Sequence, residues 1–152
     1  MKKYITFGFF LLGFVVFSQE INWLTLEQAE VEMKKSPKKS LLIDFYTDWC
    51  GWCKKMDIST FKEAEVIEHI NKNYIPVKFD AETKQDVTFR GKTYKYVRAS
   101  NGRGINSFAY FSLQGRLSYP AYAVMKNDGS MERILLGYMP KDKFLEGLNV
   151  PE

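Results

Sequence analysis

The pattern of apolar and polar positions divides the chain into helices and strands. Thr25 and Gln28 form a capping box, which predicts a helix over about residues 26–35. The run at residues 41–46 is apolar at nearly every position, so it predicts a strand that is buried on both faces, as central parallel strands are. A second helix begins at the two cysteines that follow, and a third covers residues 64–72 with its apolar residues on one face.

The second half of the chain predicts, in order, a strand, a hairpin, a helix, a second hairpin and a closing helix. These elements cover residues 74–79, 87–97, 105–113, 121–138 and 140–148. The first hairpin turns near Gly91, and the second turns at the Asn-Asp-Gly-Ser sequence of residues 127–130. Pro140 suits the first position of the closing helix. The order is therefore β-α-β, a variable middle part and β-β-α.

The first eighteen residues have the pattern of a signal peptide. Two lysines precede an uncharged, mostly apolar run at residues 4–17, which is short for a bilayer span of ~20 residues. Val16 and Ser18 are small enough for a signal peptidase, so we expect cleavage before Gln19. An uncleaved anchor is the alternative. Residues 19–152 would then form a single domain exported to the bacterial periplasm, where disulfides can form.

Length and composition fit one domain with a packed core. The chain has 152 residues, of which 45% are hydrophobic and 16% aromatic, with no internal repeat or low-complexity segment. The formal charge of +4 is modest, and the basic residues are scattered along the chain. Nothing in this charge pattern favours a nucleic-acid partner.

The only two cysteines, Cys50 and Cys53, lie where the strand at residues 41–46 passes into a helix. Free N–H groups and the positive dipole end of a helix N-terminus favour a thiolate. A bridge across two residues removes little entropy from the unfolded chain, so it is a poor structural staple. Zinc requires about four ligands, and the one histidine, His69, is distant. Lys54 follows the second cysteine where haem attachment requires histidine. We interpret the pair as redox-active, with a structural disulfide or a metal site as alternatives.

The segment at residues 44–54, Asp-Phe-Tyr-Thr-Asp-Trp-Cys-Gly-Trp-Cys-Lys, resembles the active-site segment of the thioredoxin superfamily. Tyr119-Pro120 matches the position of that family's cis-proline, and the end of the chain matches the family's C-terminal end. The segments at residues 54–67 and 73–77 resemble the exported branch that is related to the C-terminal domain of thiol:disulfide interchange proteins.

This resemblance covers about residues 26–148 and implies an α/β fold. The expected architecture is a thioredoxin-like three-layer fold with a central mixed sheet and helices on both faces. The stretch from Asp80 to Pro120 is longer than in the minimal fold, so we expect an inserted hairpin and loop at about residues 81–104. This insertion either covers the sheet or selects partners near the active site.

The resemblance also implies the catalytic roles. Cys50 would be the exposed nucleophile, and Cys53 the more buried thiol that resolves the mixed disulfide. Asp44 would be a buried acid that accepts the proton of Cys53, with a pKa raised by desolvation. A polar residue facing water is the alternative for Asp44. The lysine that minimal thioredoxins pair with this acid aligns with Pro76, and Lys78 lies nearby on the same strand.

Four residues are expected to bind substrate. Pro120, if cis, would leave the backbone of Tyr119 free to pair with a bound peptide strand. An ordinary trans proline is the alternative. Trp49 and Trp52 would flank the thiols as apolar walls, although packing is an equal interpretation for Trp49.

The resemblance implies an exported thiol–disulfide oxidoreductase that uses the Cys-Gly-Trp-Cys dithiol. We expect it to reduce protein disulfides through a mixed disulfide, because Gly51 and Trp52 offer no charge that would stabilise the thiolate of a strong oxidant. A disulfide oxidase or isomerase, and a thioredoxin-fold module that binds polypeptides, are the alternatives. The expected partners are disulfide-containing polypeptides and a membrane electron-donor protein, and not nucleic acid. We expect a monomer, with no metal and no cofactor other than the disulfide.

Overall fold

A four-stranded mixed sheet lies at the centre of the protein, whose computed structural model describes residues 20–98 and 102–149. The predicted signal peptide lies outside these residues. In chain order the elements are α1 (Leu26–Lys35), β1 (Ser40–Tyr46), α2 (Gly51–Ile58), a 3-10 turn (Thr60–Lys62), α3 (Ala64–Asn73), β2 (Tyr74–Asp80), β3 (Val87–Phe89), β4 (Lys92–Tyr94), β5 (Tyr96–Arg98), β6 (Gly104–Asn106), α4 (Ser107–Ser112), β7 (Ala121–Met125), β8 (Met131–Leu136) and α5 (Lys141–Asn149).

The sheet has the strand order β2-β1-β7-β8. β1 runs parallel to β2 and antiparallel to β7, and β7 pairs antiparallel with β8. β1 is therefore an inner strand, which explains why it is apolar at nearly every position. Leu41, Ile43 and Phe45 face a core that includes residues of α1 and α4. Leu42 faces a second core with residues of α2, α3 and α5. The predicted three-layer α/β fold is confirmed.

The N-terminal segment covers the outer edge of β2. Leu24 forms a parallel bridge to Val77, donating its N–H to the carbonyl of Pro76 and accepting the N–H of Lys78. The N–H and C=O of one strand residue point to the same side, so the donor that Pro76 lacks would face this outer edge. The proline therefore leaves the ladder between β1 and β2 intact.

The long middle segment forms two small hairpins. β3 and β4 pair across Arg90 and Gly91, which both have positive φ, at 53° and 74°, as a two-residue type I′ turn requires. The single hairpin predicted over residues 87–97 is therefore too long. β5 leaves it and pairs instead with β6.

The helix predicted over residues 105–113 begins later, at Ser107. The side chain of Asn106 accepts the N–H of Phe108 at 3.0 Å and caps α4, so Ile105 belongs to β6. The closing helix α5 likewise begins at Lys141 rather than at Pro140, whose carbonyl accepts the N–H of Phe144. Within residues 20–98 and 102–149, no helix combines the length and apolar character that a bilayer span requires.

Candidate active site

Cys50 and Cys53 form a disulfide at the N-terminus of α2. Their Cα atoms are 5.3 Å apart. Cys50 is the N-cap residue, and its sulfur accepts the N–H of Cys53 at 3.1 Å. The two cysteines are only 4% and 5% exposed, so the expectation of an exposed Cys50 is wrong for this oxidised form. The reason is that its sulfur is turned back towards the helix by this hydrogen bond and by the bond to Cys53.

The start of α2 presents the positive end of the helix dipole to these sulfurs. The N–H of Cys50 donates to the carbonyl of Thr47, which closes the turn between β1 and the helix. No acidic residue lies in the first turn of α2, and Lys55 lies in its last turn. The positive end of the helix dipole therefore acts on Cys50 without an opposing carboxylate in that turn.

Asp44 is a buried carboxylate in the middle of β1. It lies between Lys78 of β2 and Tyr122 of β7, so the alternative of a water-facing edge residue is excluded. Its Oδ2 atom is 3.4 Å from the ammonium of Lys78, whereas its Oδ1 atom has no hydrogen-bond partner among the described residues. Burial raises the pKa of Asp44 to about 7, with Lys78 acting to lower it and Asp57 to raise it. This carboxyl can therefore change its protonation state near neutral pH.

Lys78 connects Asp44 to a second carboxylate. Its ammonium also makes a short ion pair with Asp57 of α2, which is partly exposed. Burial opposes the charge of Lys78, but the two carboxylates outweigh it and raise the pKa of the lysine. The ammonium lies 5.3 Å from the centre of the Trp23 ring and 5.5 Å from that of Tyr46. Lys78 is thus held as a cation between a buried and a partly exposed acid.

Each cysteine is directly preceded by an exposed tryptophan, Trp49 before Cys50 and Trp52 before Cys53, and each tryptophan has an aromatic neighbour. Trp49 and Trp52 are both 61% exposed. Trp49 donates its indole N–H to Glu82 at 3.1 Å and meets the Tyr119 ring edge-on at 6.1 Å. Trp52 packs beside Tyr138 at 5.3 Å. Both tryptophans therefore present apolar surface to solvent, and Trp49 combines this with a packing contact.

The Tyr119–Pro120 peptide bond is cis, and it lies directly before β7. The Pro120 carbonyl accepts the N–H of Gly137 at 2.8 Å. In the part of the chain that is described, the Tyr119 backbone makes no hydrogen bond to another backbone group. Burial, with Glu82 and Asp80, raises the pKa of the Tyr119 hydroxyl to about 12. The ring is therefore neutral at physiological pH, and its backbone can accept a partner.

Metal binding has no candidate cluster in residues 20–98 and 102–149, where no group of three or more His, Cys, Asp or Glu side chains converges. His69 is not part of this site, because it lies on α3 beside Asn73 and Tyr74. The chemistry of this region therefore rests on the two cysteines and the Asp44–Lys78 pair.

A protein-family comparison matches residues 12–133 to the family Thioredox_DsbH, described as "Protein of unknown function, DUF255". The chain belongs to this thioredoxin-fold DUF255/DsbH family. The match includes β1, both cysteines and the segment that leads to β7.

Individual relatives agree with this family assignment. The protein is 26% identical over 118 residues to the thiol:disulfide interchange protein DsbD of Neisseria meningitidis, covering 77% of this chain and 16% of DsbD. The reduced C-terminal domain of Neisseria meningitidis DsbD has a TM-score of 0.54 and 27% identity, with 80% and 89% of the two chains covered. A thioredoxin from Thermus thermophilus shares the fold, with a TM-score of 0.57 at 14% identity over 85% of each chain. The DUF255/DsbH protein is thus a thioredoxin-like oxidoreductase with the redox pair Cys50–Cys53.

The sequence pattern indicates the two cysteines and Asp44, but it does not identify the side chains that contact the carboxylate of Asp44. Lys78 lies opposite Asp44 because of the register between β1 and β2, in which Pro76 lies opposite Leu42. Asp57 was missed entirely. Its position four residues after Cys53 places both side chains on one face of α2, and this spacing could have indicated it.

Proposed function

We propose that the protein is an exported protein-disulfide reductase that acts through its Cys50–Cys53 dithiol. The observation that carries this proposal is the combination of a disulfide at a helix N-terminus with a buried acid of pKa about 7 on the preceding strand. A purely structural bridge would need no such acid, and burying a carboxylate costs free energy. The cost is explained if Asp44 handles a proton.

The reaction begins when the thiolate of Cys50 attacks one sulfur of a substrate disulfide. A mixed disulfide forms, the substrate disulfide breaks, and the departing substrate thiolate takes a proton from solvent. Asp44 then accepts the proton of Cys53, and the Cys53 thiolate attacks the Cys50 sulfur. This step releases the second substrate sulfur, which is protonated in turn. Two electrons and two protons reach the substrate, and the protein ends in the disulfide form.

The substrate strand is proposed to lie between the exposed tryptophans and the segment before β7. The backbone N–H and C=O of Tyr119 are available to pair with an extended peptide. Trp49 and Trp52 would bury apolar side chains on either side of the substrate cysteine. In this arrangement the substrate disulfide is presented to Cys50, and Pro120 shapes the approach.

Reduction is the favoured direction because the residues between the cysteines carry no charge. Strong oxidants stabilise the thiolate of their reduced form. Gly51 and Trp52 add no charge that would stabilise such a thiolate, so only the helix N-terminus contributes. The likeness to DsbD, a thiol:disulfide interchange protein, supports thiol–disulfide exchange partners, and a membrane protein is the electron donor that we propose. We propose a periplasmic location, with residues 1–18 as the signal peptide, and a monomer that acts on disulfide-bonded polypeptides.

A disulfide oxidase or isomerase is the second candidate. The observation that favours it is the acid-free first turn of α2, since the positive end of a helix dipole favours a thiolate over a thiol at the N-cap. The two candidates differ in the reduction potential of the pair.

The deciding experiment equilibrates the protein in graded dithiothreitol and glutathione buffers, with tryptophan fluorescence as the signal. A potential of about −250 mV or below supports a reductase, whereas a value of about −150 mV or above supports an oxidase or isomerase. Turnover is measured in parallel on a small disulfide-bonded protein. The matched control is Cys50→Ser, which should abolish turnover while leaving the fold intact.

A further inference from the structure

A pocket of about 240 Å³ opens beside the redox pair, between the active-site aromatic residues and the inserted hairpins. Its lining includes Trp49, Glu82, Arg103, Ile105, Leu117 and Tyr119. Trp49 directly precedes Cys50, and Tyr119 directly precedes Pro120. A group bound in this pocket therefore lies next to any polypeptide that is joined to Cys50.

The insertion side of the pocket is held in place by Asn106, which is fully buried. Its backbone N–H donates to the carbonyl of Ala81 at 2.8 Å, and its side-chain amide donates to the carbonyls of Thr83 and Gln85. The same side chain caps α4. Both ends of the insertion are thus tied together, and Ile105 is fixed as a wall of the pocket.

The active-site side is held by contacts to Trp49. The indole N–H is bonded to Glu82, and the guanidinium of Arg103 lies 6.0 Å from the centre of the indole ring. Tyr119 meets the same ring edge-on. An exposed tryptophan is normally free to change rotamer, whereas this one is oriented by groups on both sides. The orientation keeps an apolar face open to solvent.

The chemistry of the pocket favours an apolar occupant. Trp49 is 61% exposed and Leu117 is 44% exposed, so both leave apolar surface in contact with water. Covering this surface is favourable, and walls that are already fixed lose little conformational freedom when they bind. Glu82 and Arg103 are engaged at the rim by Trp49, which leaves the apolar walls to contact the occupant.

We infer that this pocket is a substrate subsite that takes a bulky apolar side chain beside the reacting cysteine of a disulfide-bonded polypeptide. The inference rests on the proposed function and gives the insertion a part in substrate choice. Continuity with the redox site supports it, because Trp49 and Tyr119 belong to both the pocket and the proposed peptide-binding region. The occupant is thus part of the substrate that Cys50 attacks.

The test compares two short synthetic peptide disulfides that are identical except beside the cysteine, where one has phenylalanine and the other serine. Reduced wild-type protein is expected to prefer the phenylalanine peptide by about 10-fold or more in kcat/KM, the usual range for an apolar pocket. Oxidised glutathione is measured alongside. If the protein reduces none of the three, the proposed function fails. If it reduces both peptides at equal rates, the function stands and the subsite is refuted.

Two substitutions then locate the preference. Leu117→Ser removes an apolar wall and Leu117→Trp fills the pocket, and each should bring the ratio of the two peptides close to one. Leu117 is a surface residue, so both variants are expected to fold. Val31→Ser, at a 54% exposed valine on α1, is the matched control and should retain the wild-type ratio. A wild-type ratio in both Leu117 variants would overturn the inference. A second refuting outcome is that the wild-type protein self-associates in solution and the Leu117→Ser variant is monomeric.

Discussion

Replacing Asp44 with asparagine is expected to change the pH dependence of stability of the oxidised protein. Asp44 is buried, its Oδ1 atom has no hydrogen-bond partner among the described residues, and its Oδ2 atom pairs with Lys78 at 3.4 Å. Ionising such a group costs free energy that only the folded state incurs. Asparagine has a similar shape and does not ionise, so it removes this cost.

The magnitude follows from the pKa of Asp44, which burial raises from 3.8 to about 7 while Lys78 opposes the rise. A difference of about 3 units at 1.36 kcal/mol per unit corresponds to about 4 kcal/mol. Between these two pKa values the folded protein retains a proton that the unfolded chain has released. The free energy of unfolding of the wild type therefore falls as pH rises from about 4 to about 7, and the Asp44 contribution is constant beyond.

Urea unfolding of oxidised wild type and Asp44→Asn across this pH range measures the effect. The stability of the variant relative to wild type should rise by about 4 kcal/mol between about pH 4 and pH 8, because other titrating groups cancel in the difference. Asp86→Asn, at an exposed ion pair with Lys95, is the matched control and should change by less than about 1 kcal/mol. A change below about 1 kcal/mol for Asp44→Asn would refute the reasoning.

Substitutions at three further residues test other parts of the molecule. Lys78→Met removes the cation that lowers the pKa of Asp44, so the loss of stability with rising pH should continue above pH 7 in the same urea series; a loss that still ends near pH 7 would contradict the pairing. Asn106→Ala leaves buried hydrogen-bonding groups unpaired and should cost about 2–4 kcal/mol in urea unfolding. Asn106→Asp keeps the cap acceptor of α4 but places a buried carboxylate oxygen against the carbonyls of Thr83 and Gln85, so it should cost at least as much as Asn106→Ala; a smaller loss would show that the cap dominates. Thr25→Ala removes the capping bond of α1 and should cost about 1 kcal/mol, whereas a neutral result would assign the stability of α1 to packing alone.

The fold was readable from the sequence where burial and local signals agree. β1 is apolar at nearly every position because helices cover both of its faces, and this pattern alone indicates an inner strand. α1 begins after Thr25 because the capping box is contained within four residues. The cysteines mark the start of α2 for the same reason, since Cys50 is itself the N-cap. Each of these features depends on neighbours in the chain.

The predictions that were wrong or incomplete concern features that depend on contacts between residues distant in the chain. Each of β5 and β6 has only three residues, and their pairing is set by how Asn106 binds Ala81 and its neighbours. Ile105 has helical spacing to Phe108, so periodicity alone assigned it to the helix. The partner of Asp44 likewise depends on a parallel register that no local pattern specifies.

The bridge from Leu24 to the outer edge of β2 also bears on solubility. An open sheet edge offers unpaired N–H and C=O groups on which a second polypeptide can build a strand, the first step towards aggregates. Here Leu24 uses the Pro76 carbonyl and the Lys78 N–H, and the proline itself has no donor to offer. A protein with the proposed function would meet many such strands in its polypeptide substrates. With the middle of this edge paired to Leu24, β2 is a poor template for them.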